Sequence, residues 1–395
     1  MSMRRYAVVA AVALLAACAD SGSEERVDTP LPVSTVVTDA QVLATGTEFA
    51  QCLSDHGVRD VPPPTVQSGR LVWTAAFGDS PARRACQHII DPMPAERLWP
   101  AETPAVGSDG DPVRSAGCGR PAPAGAGTST RQTVDSAGVS RLYRLHLPRG
   151  YSADAAVPVV LALHGGTSQP APNVMEEMEQ ETRFSELADR DGFVVVYPRS
   201  ATTSGGTTGW NIGGKENPTV DDVRFIDDLL DRLDETLCVD RRRIYATGFS
   251  SGGGMTNVLA CRSAGRIAAF APVSGAFFVT PGACQPSRPV PILEFHGTSD
   301  KVPYEGGPFG PDTLLAVPRW LQDWADRNHC TRGPTAFFTM VDIAAEHWSR
   351  CVDPSTVIGY RILNGRHLWP GVDGSTRTID ATTLIWRFFR NHQLP

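Results

Sequence analysis

Six strand-like runs punctuate the chain: Val157–Leu163, Phe193–Tyr197, Arg243–Thr247, Ala268–Val273, Val290–Phe295 and Val357–Leu363. They are nearly continuous in apolar residues rather than alternating, the pattern of strands covered on both faces. Between them the period lengthens to that of a helix. After Thr219, residues Val223, Ile226, Leu230, Leu233 and Leu237 recur on one face, and Thr219 with Asp222 reads as a capping box. A last helix over 380–392 carries Ala381, Leu384, Ile385, Phe388 and Phe389 on one stripe. Strands alternating with helices predict an α/β domain over 129–395, its sheet doubly wound and mostly parallel.

The chain ahead of this domain is built differently. Arg4 and Arg5, an apolar run from Ala7 to Leu15, and the small residues before Cys18 read as an export signal over residues 1–18. The run falls short of the roughly 20 residues that span a bilayer. Leu15-Ala16-Ala17-Cys18 also resembles the lipobox of bacterial lipoproteins, which implies a lipidated Cys18, a membrane anchor and an extracellular site; an ordinary signal peptide is the alternative. Residues 19–46 are polar enough to form a tether. A small helical unit is expected over 47–91, from Phe49–Leu53 to Ala82–Cys86, stapled by Cys52 and Cys86 because so short a segment buries little core. Residues 92–128, dense in Pro, Gly and Ala, read as a linker.

Composition narrows the partners. Nine cysteines suit an oxidising compartment, and without Cys18 eight remain to pair. No Cys or His cluster has zinc spacing, so neither metal nor cofactor is expected. A net charge of -7 with no basic patch argues against nucleic acid.

Sheets of this kind place chemistry beyond the carboxyl ends of their strands. Behind Arg243–Thr247 stands Gly248-Phe249-Ser250-Ser251-Gly252, a G-x-S-x-G turn that presents a nucleophilic serine between strand and helix. Asp300 follows the fifth run in His296-Gly297-Thr298-Ser299-Asp300, and His367 follows the sixth in Asn364-Gly365-Arg366-His367. A serine hydroxyl needs a base, imidazole titrates in the right range, and a carboxylate fixes the imidazole's tautomer. Asp312 and Asp373 are the rivals of Asp300; His164 and His296 are read as strand ends. The loop His164-Gly165-Gly166 supplies backbone donors for an oxyanion, with Gly166 N–H and Ser251 N–H as the pair.

With these residues in view, the chain from about Gly117 to Pro395 resembles the polyhydroxybutyrate depolymerase and feruloyl esterase family of secreted α/β-hydrolases. Further segments carrying the likeness are Gly209-Trp210-Asn211, Val220-Asp221-Asp222-Val223 and His367-Leu368-Trp369-Pro370-Gly371. The resemblance implies the α/β-hydrolase fold, Ser250, Asp300 and His367 as a triad, and His164-Gly165-Gly166 as the oxyanion loop. Asn364 and Arg366 replace two glycines common before the family's histidine, and Gly166 stands where depolymerases often carry Cys, which moves the expectation from polymer toward general esters. Topology suggests pairing Cys238 with Cys261, Cys330 with Cys351 and, by elimination, Cys118 with Cys284. Trp210 and Trp369 either line an acyl pocket or only pack the loops.

The leading expectation is therefore an envelope-anchored serine esterase for short-chain, hydroxyalkanoate or feruloyl-type esters. A peptidase similar to the prolyl oligopeptidase family and a non-catalytic envelope binding protein are the alternatives.

Overall fold

A computed structural model describes residues 39–67, 70–72, 82, 86 and 111–395, apart from 60, 169–170, 203–206, 214–219, 279–283, 311, 341, 353–354, 373 and 377. Cys18, Thr219 and Asp373 lie outside the described residues.

The apolar runs become the middle of a ten-stranded sheet. In chain order its strands are β3 (Thr128–Ser136), β4 (Val139–Leu147), β5 (Val157–Leu163), β6 (Val194–Pro198), β7 (Val239–Phe249), β8 (Ala269–Val273), β9 (Ile292–Gly297), β12 (Arg332–Met340), β13 (Ile343–Ser349) and β14 (Val357–Ile362). Across the sheet the order is β12-β13-β14-β9-β8-β7-β5-β6-β4-β3. The six strands from β14 to β6 are parallel, and each edge is closed by an antiparallel pair, β4 with β3 and β13 with β12. Two small hairpins stand apart, β1 (Thr65–Gln67) with β2 (Arg70–Val72), and β10 (Gly307–Phe309) with β11 (Asp312–Leu314).

The helices are α1 (Asp39–Asp55), α2 (Val174–Thr182), α3 (Phe184–Asp191), α4 (Asp222–Thr236), α5 (Ser251–Arg262), α6 (Val317–Arg327) and α7 (Ala381–Arg390). On α4 the buried stripe is Phe225, Ile226, Leu229, Leu230 and Leu233, and the cap at its start is Asp221, whose carboxylate accepts from Arg224 N–H. Aspartate suits that place because it satisfies an orphan N–H and faces the positive end of the helix dipole. Stacked rings hold α7 on the sheet, Trp386 on Phe193 at 3.9 Å and Phe389 on Tyr245 at 4.8 Å between centroids. Asn257 on α5 accepts from the indoles of Trp320 and Trp324 on α6, so the two helices share one amide oxygen.

Several boundaries differ from the expectation. The first helix opens at Asp39, inside the stretch read as tether. Residues 111–127, read as linker, are strapped to the catalytic domain: Ser115 N–H donates to Val239 O, Gly117 N–H to Asp234 O, and Val113 N–H to the Asp240 carboxylate. That strap corrects the disulfides. It carries Cys118 to Cys238 at the start of β7, so these two pair, and Cys261 at the end of α5 pairs with Cys284 instead. Cys52–Cys86 and Cys330–Cys351 join as expected. His56 Nδ1 sits 3.7 Å from the sulfurs of both Cys52 and Cys86, but in a disulfide neither offers a thiolate to a metal. Among the described residues no helix is long and apolar enough to cross a membrane.

Candidate active site

β7 ends at Phe249 and α5 begins at Ser251, which leaves Ser250 alone to turn the chain. It does so at φ 56° and ψ -116°, a conformation strained for any residue with a Cβ. Two glycines make the turn sterically feasible. A Cβ on Gly248 would stand 2.4 Å from Gly252 O, and one on Gly252 would stand 2.0 Å from Leu163 O. Strand, turn and helix thus pass closer together than side chains allow, and backbone bonds from Ser250 N–H to Val273 O and from Gly254 N–H to Ser250 O lock the arrangement. Ser251 N–H, in the first turn of α5, has no partner within the helix and sits at the positive end of its dipole.

The loop after β5 lies over this elbow. A Cβ on Gly165 would be 3.4 Å from the Ser250 Cβ, and one on Gly166 would be 3.4 Å from the Ser251 Cβ. His164, fully enclosed, fixes the loop's orientation. Its Nε2 accepts Ser200 N–H at 3.0 Å, so the ring proton resides on Nδ1, which donates to Gly165 O at 2.7 Å. Because a trans peptide holds its C=O and N–H on opposite sides, a fixed Gly165 carbonyl also fixes the direction of Gly166 N–H.

Trp210 ties the two halves together: its backbone N–H donates to Ser251 Oγ at 3.2 Å and its indole N–H to His164 O at 2.8 Å. A buried ion pair steadies that clamp, since Asp222 takes Arg141 on one oxygen and Asn211 N–H on the other. Trp210 and Trp369 are both buried, and the Trp369 indole donates to Thr382 Oγ1 at 3.0 Å. Both indole N–H groups are thus engaged within the fold.

His367 brings its Nδ1 to 2.7 Å from Asp300 Oδ1, and its ring lies 4.5 Å from that of Phe249, the residue before Ser250. A carboxylate only accepts, so Nδ1 bears the proton and Nε2 is left with a lone pair. Asp300 is itself anchored, its Oδ1 accepting Val302 N–H at 2.7 Å. Burial pushes its carboxyl up, but the His367 hydrogen bond and the charges of His296 and His367 outweigh burial and hold it below the usual carboxylate range. Asp312 opens β11, in the separate hairpin. Three features escaped the sequence reading. They are the Trp210 clamp, the Phe249 ring against His367, and Glu294, which shares a face of β9 with His296 at a spacing of two residues. That spacing was the available signal. A cavity of about 550 Å³ flanks α5, lined by Ile212, Asp222, Asn257, Phe278 and Trp320 among others; Ser250, Asp300 and His367 are not part of its wall.

The enclosed histidines give a stability expectation. Burial, opposed by a bond to Gly165 O, lowers His164 to about 4, and burial, opposed by a bond to Phe388 O, lowers His392 to about 4. Unfolded imidazoles take up protons near 6.5, so unfolding binds protons between pH 6.5 and 4, and stability falls as pH drops through that window. Each contributes about 3 kcal/mol of loss at the acid end. Urea midpoints at pH 7.0, 5.5 and 4.5 should fall steadily, and His392→Gln should remove about half of the fall. A flat midpoint across the window would refute the assignment.

The sequence profile of the family described as esterase PHB depolymerase matches residues 141–287. A feruloyl esterase B of Piromyces equi is 35% identical over 198 residues, 47% of this chain and 35% of that protein, so the chain spans about a third of that relative's length. A probable feruloyl esterase C of Aspergillus clavatus is 33% identical over 255 residues, covering 63% of this chain and 83% of the relative. Among solved structures, an acetyl xylan esterase from Aspergillus awamori aligns at TM-score 0.48 and 16% identity, over 66% of this chain and 99% of the other.

Proposed function

Since the chain belongs to the polyhydroxybutyrate depolymerase and feruloyl esterase family of α/β-hydrolases, we propose that it is a serine carboxylic ester hydrolase working through an acyl-enzyme on Ser250. The observation that carries this reading is a serine raised on a strained strand-to-helix turn, with the ring of the preceding Phe249 packed 4.5 Å from that of a histidine whose Nδ1 is bonded to a buried carboxylate.

In the proposed reaction His367 Nε2 takes the Ser250 proton as Oγ adds to the ester carbonyl. The oxyanion settles between Gly166 N–H and Ser251 N–H, each such donor worth about 10²- to 10³-fold in turnover. His367 then protonates the leaving alcohol, and water repeats the cycle to release the acid. Asp300 keeps the Nδ1–H tautomer and stabilises the imidazolium. Substrates of this reading are short-chain, hydroxyalkanoate or feruloyl-type esters, the last matching the names of the relatives. We further assign residues 1–18 to an export signal ending at a lipidated Cys18, which anchors the protein outside the membrane.

The test is a panel of p-nitrophenyl butyrate, methyl ferulate, hydroxybutyrate oligomers and a proline-containing peptide anilide, with a fluorophosphonate probe. The expected result is ester turnover and a covalent adduct on Ser250. Faster cleavage of the anilide than of any ester would move the activity to a peptidase, and no labelling with no turnover would leave a binding protein.

A further inference from the structure

Behind Asp300, on the side away from His367, lies a second pair of ionisable groups that the proposed reaction does not use. Glu294 and His296 point to one face of β9, and both are buried. His296 Nε2 is 2.8 Å from Val302 O and 3.8 Å from Asp300 Oδ2, while Nδ1 is 3.0 Å from Glu294 Oε1. A carbonyl accepts only, so Nε2 carries a proton. The contact between Nδ1 and Oε1 then holds one further proton, on the imidazole or on the carboxyl, and in either case the couple is neutral overall. With the proton on nitrogen, an imidazolium faces the Asp300 oxygen that has no hydrogen-bond partner among the described residues. Val302 closes the circuit, giving its N–H to Asp300 Oδ1 and its carbonyl to His296.

We infer that Glu294 and His296 are positioning residues for Asp300, a buried couple whose imidazole end faces the carboxylate oxygen left over by His367. The inference rests on the triad reading above.

The ladder partner of His296 on β14 is Arg361, an exposed residue, which leaves His296 as the buried basic group behind Asp300. Tyr304 packs 6.0 Å from its ring, and Arg361, Glu346 and Glu305 act on that phenol, with Arg361 and Glu346 opposite in sign. From β8 the neighbours of β9 in the ladder are Phe270 and Val273, which are apolar. Lys301, beside Asp300 in sequence, belongs to an exposed position. The charges agree with the geometry: burial works against the His296 cation, but Glu294 and Asp300 outweigh it and raise His296, while burial raises Glu294.

Without the imidazolium end, Asp300 protonates more readily as pH falls and His367 keeps its own proton to higher pH. Both effects remove active base on the acid side, so the acid limb of kcat/KM moves to higher pH. Glu294→Gln is nearly isosteric, and its amide N–H still reaches His296 Nδ1, which leaves a neutral ring. In the full chain, with p-nitrophenyl butyrate, this variant should lose about tenfold in kcat at pH 7.5 with KM within about twofold. Its ratio of kcat/KM at pH 5.5 to that at pH 7.5 should fall by about threefold more, and Glu294→Asp should recover part of both. His296→Gln should show the same pattern more strongly; if it does not fold, Glu294→Gln decides. Unchanged kcat and an unchanged pH ratio in Glu294→Gln, or a change in melting temperature alone, overturns the inference. Ser250→Ala separates the two levels, because turnover surviving in that variant sinks the triad reading itself.

Discussion

Ser250→Ala should lower kcat on p-nitrophenyl butyrate by about 10⁵- to 10⁶-fold while the melting temperature stays within about 2 °C of the parent. The size follows from the division of labour at the site. In the proposed reaction no acyl-enzyme forms without Oγ, and His367, Asp300 and the two backbone donors would retain only the smaller rate advantage of orienting water and binding an oxyanion. The neutral effect on stability follows from the backbone, since alanine inherits the strain of φ 56° unchanged. Ser250→Gly should be equally inactive yet more stable than Ser250→Ala by about 1 kcal/mol, because glycine adopts positive φ without the Cβ clash. Active-site titration with the fluorophosphonate checks that residual turnover is not parent protein. A loss below about a hundredfold would point to another nucleophile.

How far this was readable in advance divides along physical lines. β5, β6, β8 and β9 are buried on both faces, as are β7 from Ile244 to Gly248 and β14 apart from Arg361, so their sequences are mostly apolar runs that need no register to be recognised. β3, Thr-Ser-Thr-Arg-Gln-Thr-Val-Asp-Ser, sits at the sheet edge and is exposed or half-buried over most of its length, so its polar residues conceal a nine-residue strand. β12, beginning Arg332-Gly333-Pro334, is masked in the same way at the other edge. The candidate residues stood out because each follows a parallel strand, where the fold itself concentrates functional groups. Contacts among them were not. That Cys118 meets Cys238 depends on the strap over residues 111–127, held largely through main-chain groups of the catalytic domain, which leaves little side-chain pattern. The Trp210 clamp joins Ser251 Oγ to the His164 carbonyl, a relation between two loops and the start of a helix that lie far apart in sequence.

Asp300→Asn should cost about 10³- to 10⁴-fold in kcat at pH 7.5, with KM little changed because Asp300 touches no substrate in the proposed reaction. The asparagine has two orientations and neither restores the function. With its oxygen in the place of Oδ1 it still accepts from Val302 N–H and His367 Nδ1, but it brings no negative charge to the imidazolium, and its NH₂ turns toward the proton on His296 Nε2. With the amide reversed, the NH₂ meets two donors, and His367 escapes the conflict only by moving its proton to Nε2, where the Ser250 proton must go. Loss of charge or loss of tautomer follows in every case, so the loss is large even though one heavy-atom type has changed and the volume has not. The matching control is Asp312→Asn on the β10–β11 hairpin, expected to stay within about threefold of the parent. If the two results were exchanged, Asp312 would be the acid that serves His367; an Asp300→Asn protein with parent kcat would remove the carboxylate from the mechanism altogether, and with it the reason for a buried imidazole at His296.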